Sequence, residues 1–211
     1  MNFKDKSILD FVNELSSNSP VPGGGGAAAL VGSLSAALSN MVFNLTINKK
    51  AFTNLNNSEQ SSVMDALATC EKKANEFLDY IDKDGEAFST LMKAYKLPKD
   101  SEEALKVKEE KIQEGLKIAM QVPLDLLTNL ADMMSYIDIA ATYGNSNVIS
   151  DAGVSAILAY AAIESSVLNV MVNLNFINDI NKDELIKACT DLLNKAEKLK
   201  KEIMVKVYNK I

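Results

Sequence analysis

The chain has no histidine, no arginine and no tryptophan, and only two cysteines and four prolines among its 211 residues. Each shortage removes a class of chemistry. Without imidazole there is no histidine-built zinc site, and Cys70 with Cys189 makes a poor substitute. No Ser–His or Cys–His nucleophile pair can exist. Acid–base work falls to Asp, Glu, Lys, Tyr or Cys. All 22 basic residues are lysines. An anion must therefore be held by ammonium groups, backbone N–H groups or helix N-termini, never by a guanidinium fork. Two cysteines far apart read as reduced thiols, not a disulfide framework, and point to a cytoplasmic setting.

Positive charge is also in deficit. The net charge of −6 argues against a nucleic-acid or anionic-membrane partner, while leaving room for a local basic spot. Residues 1–15 are charged and amphipathic and lack the apolar core of a signal peptide. Residues 21–48 carry no charge, yet Gly, Ser and Asn dominate them over large apolar side chains. They suit a buried helix better than a membrane span.

What is present is helical periodicity, with hydrophobic residues at 47% and charged residues at 24%. Ile8, Phe11, Val12 and Leu15 form one stripe on a first helix over residues 7–15. A second helix follows Pro22 and the run Gly23–Gly26, and small residues keep it thin. A third starts near Asn57, with Gln60 placed to complete a capping box, and runs past Asp84-Gly85 to about Leu97. A fourth starts near Asp100 or Ser101, is kinked or broken at Pro123, and resumes toward Tyr143. A fifth, again small and apolar, starts at Ser150 or Asp151. The last has Asn181 as N-cap and the stripe Leu185, Cys189, Leu192, Ala196, Leu199, Ile203. No strand pattern and no internal repeat appear. The expected fold is all-α: one domain over residues 1–211, a multihelical bundle with two central small-residue helices.

Four polar interruptions lie at the ends of the apolar helices or within them. Pro22-Gly23-Gly24-Gly25 enters a helix, and its free N–H groups suit a close ligand approach; a tight packed turn explains it equally. Lys49 and Lys50 follow a long uncharged helix. They either cap it, bind carboxylates, or act as acid–base groups. Asp82-Lys83-Asp84-Gly85 sits inside a helical pattern, marking a kink, a cavity, a ligand or a solvated face. Asn145-Ser146-Asn147 precedes Ser150 and Asp151, which are ordinary N-caps; the amides can instead meet a heteroaromatic ligand. Four such patches on greasy helices resemble one shared site.

The stretches SPVPGGGGAAALVGSLSAALSNMVFNLTINKK, DGEAFSTLMKAYKLPK, AMQVPLDLL and GNSNVISDAGVSAILAYAAIESSVLNVMVNL resemble, in order, the motifs of the formiminotetrahydrofolate cyclodeaminase/methenyltetrahydrofolate cyclohydrolase family. The resemblance spans residues 11–174. It implies an all-α homodimer with a folate site near the subunit interface and no cofactor beyond the tetrahydrofolate substrate. It implies hydration of 5,10-methenyltetrahydrofolate to 10-formyltetrahydrofolate. The alternative is closure of 5-formiminotetrahydrofolate with loss of ammonia, the substrate then coming from a separate formiminotransferase. A non-catalytic folate-binding dimer is a second alternative, and a helical dimer that binds no folate is a third.

Roles follow from the same resemblance. Gly23, Gly24 and Gly25 would line the cleft, beside Pro22. Lys49 or Lys50 would hold the glutamate tail or shuttle a proton. Asp84 and Asp151 would bind the pterin's amino edge, stabilise the cation, or act as general base. Asn145 and Asn147 would supply amide hydrogen bonds. Relatives carry an Arg near residues 110–113, where this chain has Lys111 instead.

Overall fold

The computed structural model describes residues 2–211, and every element in it is helical. The α-helices are α1 (Ile8–Leu15), α2 (Gly24–Asn44), α3 (Lys50–Thr53), α4 (Asn57–Tyr95), α5 (Glu102–Tyr143), α6 (Ile149–Leu174) and α7 (Lys182–Tyr208). Short 3-10 turns cover Phe3–Asp5 and Ser146–Val148.

Capping residues fix most starts. Ser7, Ser101 and Asn181 each accept an N–H from three residues on. The capping box of α4 differs from expectation by one residue: Asn56 is the N-cap and Glu59, not Gln60, completes the box. Gln60 instead donates to the carbonyls of Phe52 and Leu55, tying α4 to the preceding turn. The start of α6 is also corrected. The helix begins at Ile149 without a side-chain cap, because the 3-10 turn capped by Asn145 feeds straight into it. Ser150 and Asp151 therefore lie within its first turn.

Pro123 does not break α5, which runs unbroken for 42 residues. The ring is buried. The carbonyl it orphans finds a partner outside the helix, described below.

The arrangement is a row, α4–α2–α6–α7, with α5 packed behind it. Small residues allow close approach in the row. A side chain at Gly32 would strike Leu130. Ser35 and Ser155 exchange hydroxyl-to-carbonyl hydrogen bonds of 2.9 and 2.8 Å across α2 and α6, and Ser39 joins them at 2.8 Å. These hydroxyls are buried and satisfied, so their mutual hydrogen bonds offset the cost of desolvation while they fix the register.

The two small-residue helices are central in the row but covered on one side only. Leu34, Met41, Val154, Ile157, Leu168 and Val172 stand 38–65% exposed on the face turned away from α5. On α1 only Phe11 is buried, while Ile8, Val12 and Leu15 remain exposed, so the predicted stripe meets this chain's core through Phe11 alone. Two helices are long and apolar enough to cross a membrane, α2 and the Ser146–Leu174 segment. Both are packed inside the bundle, with 56% and 44% of their apolar windows buried.

Candidate active site

Because α2 starts late, at Gly24, it leaves a space between its flanking helices. That space is a cleft of about 360 Å³. Its base is the N-terminus of α2. Asp84, Phe88 and Met92 of α4 form one wall, Asn169, Asn173 and Phe176 the other, and Leu116 and Ala119 of α5 the back. The size is that of a small-molecule pocket.

Asp84 dominates the chemistry. Its Oδ2 accepts the Gly26 N–H at 3.1 Å, placing the carboxylate on the positive end of α2. A Cβ at Gly25 would collide with this carboxylate, so the close approach requires glycine there. Burial pushes the Asp84 pKa above the ordinary carboxylate range, and the Gly26 N–H opposes that push. Among the described residues no donor meets Oδ1, which stays available to a ligand or a water. A group with a raised pKa and a free oxygen in a cleft has the properties of a general base.

The chain supports this geometry from several sides. Phe3 packs against Gly85, and its N–H donates to Asp82 at 2.6 Å, so the N-terminal turn braces α4 beside Asp84. Gln113 bridges the Phe176 carbonyl and the Asn178 N–H at 3.1 and 2.8 Å, fixing the end of the α6 wall. Pro20 and Val21 line both the cleft and an adjoining 410 Å³ hollow that carries Lys93 and Lys96.

The residues singled out from sequence fall into two groups. Gly23, Gly24, Gly25 and Asp84 meet in the cleft, with Pro22 buried beneath. Lys49, Lys50, Asn145, Asn147 and Asp151 lie at the other end of α2, roughly 30 Å away for a helix of this length. Among the described residues of one chain the two groups do not share the cleft. At that far end Asn145 donates to the Leu45 carbonyl at 3.1 Å and accepts the Asn147 N–H at 3.1 Å. Its own N–H goes to Thr46 Oγ1 at 2.8 Å. Asn145 is thus engaged in joining the α5–α6 turn to the end of α2. Lys49 and Lys50 are exposed and make no ion pair among the described residues. They do not cap α2, which ends at Asn44. Lys111 pairs with Glu114 at 2.7 Å on the surface of α5, outside the cleft.

Two residues of the cleft and two of the adjoining hollow escaped the sequence reading. Asn169 and Asn173 sat within a matched motif but looked like helix filler. Lys93 and Lys96 lie in a matched motif as well, but nine residues are two and a half helical turns, roughly 180° around α4 from Asp84, so periodicity gave no signal linking them to it. No group of three or more metal-binding side chains occurs among the described residues.

Residues 7–202 match the family model described as Formiminotransferase-cyclodeaminase. The chain belongs to this family. It is 38% identical to the methenyltetrahydrofolate cyclohydrolase of Methylorubrum extorquens over 98% of both chains. It is 34% identical to the formimidoyltransferase-cyclodeaminase of Gallus gallus over 91% of this chain, spanning 35% of that longer protein. The crystal structure of formiminotetrahydrofolate cyclodeaminase from Thermotoga maritima superposes with a TM-score of 0.78 at 28% identity, covering 98% of this chain and 96% of that one.

Proposed function

We propose that the chain is a methenyltetrahydrofolate cyclohydrolase, with Asp84 as the general base. The observation that carries this reading is the half-free, partly desolvated Asp84 carboxylate facing a pterin-sized cleft. The methenyl carbon is already electrophilic, between two nitrogens that share a positive charge. Asp84 stabilises that cation and accepts a proton from an attacking water. The C–N5 bond then breaks, and its electron pair returns to N5, which takes the proton from Asp84. The formyl group stays on N10, and one proton leaves to solvent. No cofactor beyond the tetrahydrofolate substrate enters these steps.

The free N–H groups at Gly24 and Gly25 suit the pterin carbonyl. The aminobenzoyl-glutamate tail exceeds the cleft and continues along Phe88 and Met92 into the adjoining hollow, where Lys93 and Lys96 meet its carboxylates.

The second reading is cyclodeaminase activity. The Thermotoga structure favours it, and both reactions pass through a tetrahedral carbon between N5 and N10. A separate formiminotransferase would then supply the substrate. Loss of methenyltetrahydrofolate absorbance tests the first reading, and ammonia release from 5-formiminotetrahydrofolate tests the second. Turnover of neither compound refutes both.

We further infer a homodimer in the cytoplasm. The open apolar face of α2 and α6 suits a second copy. A two-fold axis crossing α2 near its middle would bring the Lys49, Lys50 and Asp151 end of one protomer over the glycine end of the other. That would reunite the two residue groups as one composite site. Sedimentation of a monomer at micromolar concentration would refute it.

A further inference from the structure

Asn169 and Asn173 stand one helical turn apart on the α6 wall of the cleft. Their amide nitrogens are already engaged. Asn169 Nδ2 donates to the Ser165 carbonyl at 2.8 Å. Asn173 Nδ2 donates twice, to the Asn169 carbonyl at 3.0 Å and the Ala119 carbonyl at 3.2 Å. The Ala119 carbonyl has an unusual history. In an α-helix it would accept the N–H four residues on, and that residue is Pro123, which has none. The proline inside α5 therefore leaves one carbonyl for another helix to fill, and Asn173 fills it.

This exchange fixes the amide. With both N–H hydrogens of Asn173 engaged, its Oδ1 acts only as an acceptor. Among the described residues nothing donates to Oδ1 of either asparagine. Neither oxygen is a buried orphan, so both remain open. The α6 wall thus presents two acceptors with their Cβ atoms about 5–6 Å apart. Asn173 offers a ligand no side-chain donor, whereas Asn169 keeps one N–H beyond its bond to Ser165.

We propose that Asn169 and Asn173 are specificity-determining residues that accept hydrogen bonds from the 2-amino and N8–H groups of a reduced pterin, and that Pro123 sets their orientation. The inference rests on the folate reading above and deepens it. The two donors flank ring atom N1 and point the same way, matching two acceptors on one wall. The opposite edge of the ring carries N5 and its one-carbon unit, and it then faces α4 and Asp84. In an oxidised pterin N8 has no hydrogen and presents a lone pair. An acceptor would meet an acceptor, and such a site rejects a ligand that lacks the expected donor.

Calorimetric titration with 5-formyltetrahydrofolate and with folic acid tests this. The wild-type protein binds the reduced ligand more tightly. Whichever of N173L and N169L removes the acceptor for N8–H weakens 5-formyltetrahydrofolate by about tenfold and folic acid by less than about threefold, so the preference narrows; the other loses the 2-amino contact and weakens both ligands alike. P123A is the variant that separates recognition from packing. It restores a helical N–H for the Ala119 carbonyl and frees the Asn173 amide. It keeps the helical circular-dichroism spectrum and narrows the preference by about threefold or more. Equal weakening of both ligands in all three variants overturns the inference, as does a wild-type protein with no preference. In either case turnover of methenyltetrahydrofolate leaves the folate reading standing. Failure of the wild type to bind 5-formyltetrahydrofolate removes that reading, and this inference with it.

Discussion

At its N-terminal end α2 meets a carboxylate that its own N–H group solvates. At its C-terminal end it leads to two lysines that nothing in the described chain engages. The first end is walled by three long helices of one chain. The second is open, and its asparagine is occupied with holding turns together. The contrast shows that polar residues at a helix end do not by themselves make a site. A site arises where packing leaves a gap and strips a charged group of water without fully pairing it.

The sharpest way to break that contrast is D84N. It is expected to lower turnover by about 10²–10⁴-fold while D151N costs far less, read from the decay of methenyltetrahydrofolate absorbance. An equal loss in both would erase the distinction between the two ends. G25A comes next. Its methyl displaces the Asp84 carboxylate and is expected to cost about 10²-fold in turnover. G24A meets only the Asn169 amide at 3.6 Å, an ordinary contact, and stays within about twofold on the same criterion. L168D places a charge on the open apolar face. It is expected to yield a monomer by light scattering and to lower activity with it. K49A with K50A is expected to raise KM by about tenfold or less, and only if a second copy brings these lysines to the cleft. In a monomer such as L168D the same pair of changes is then silent.

The raised pKa of Asp84 gives a pH test of the same end. A carboxyl whose folded pKa is raised keeps its proton after the unfolded chain has released its own. Stability therefore falls as pH rises from the ordinary carboxylate range through the folded value, and the loss persists above it. D84N removes that loss. It should melt at a higher temperature than the parent protein at neutral pH, with the gain vanishing below the ordinary carboxylate range. The acid limb of the parent's rate profile should sit above that range as well. A D84N variant that melts lower at neutral pH contradicts the assignment.

Much of this was legible in the chain. The cap at Asn181, the helix start at Ser101 (one of the two positions expected) and the heptad-like stripe of α7 lie where local chemistry put them. The glycine run and Asp84 were both marked, since glycine and aspartate are poor residues in helices. Errors of one or two residues at Glu59 and Ile149 arose because neighbouring polar residues cap equally well on paper. The break allowed for at Pro123 did not occur, for a different reason. Propensity sees the lost N–H, whereas only the neighbouring helix shows where the orphaned carbonyl finds its partner.

The sequence by itself determined that the protein is helical and that its acid–base groups are carboxylates, lysines, tyrosines and thiols, because periodicity and composition are local properties. It also marked four patches able to carry chemistry. Which patches meet was decided by tertiary structure alone. Two segments joined by a rigid helix of 21 residues are held apart by its length, while Asp84 and Gly26, separated by 58 positions, are brought into contact. Chain separation says nothing about distance until helices pack, and packing depends on the shapes of all the side chains at once.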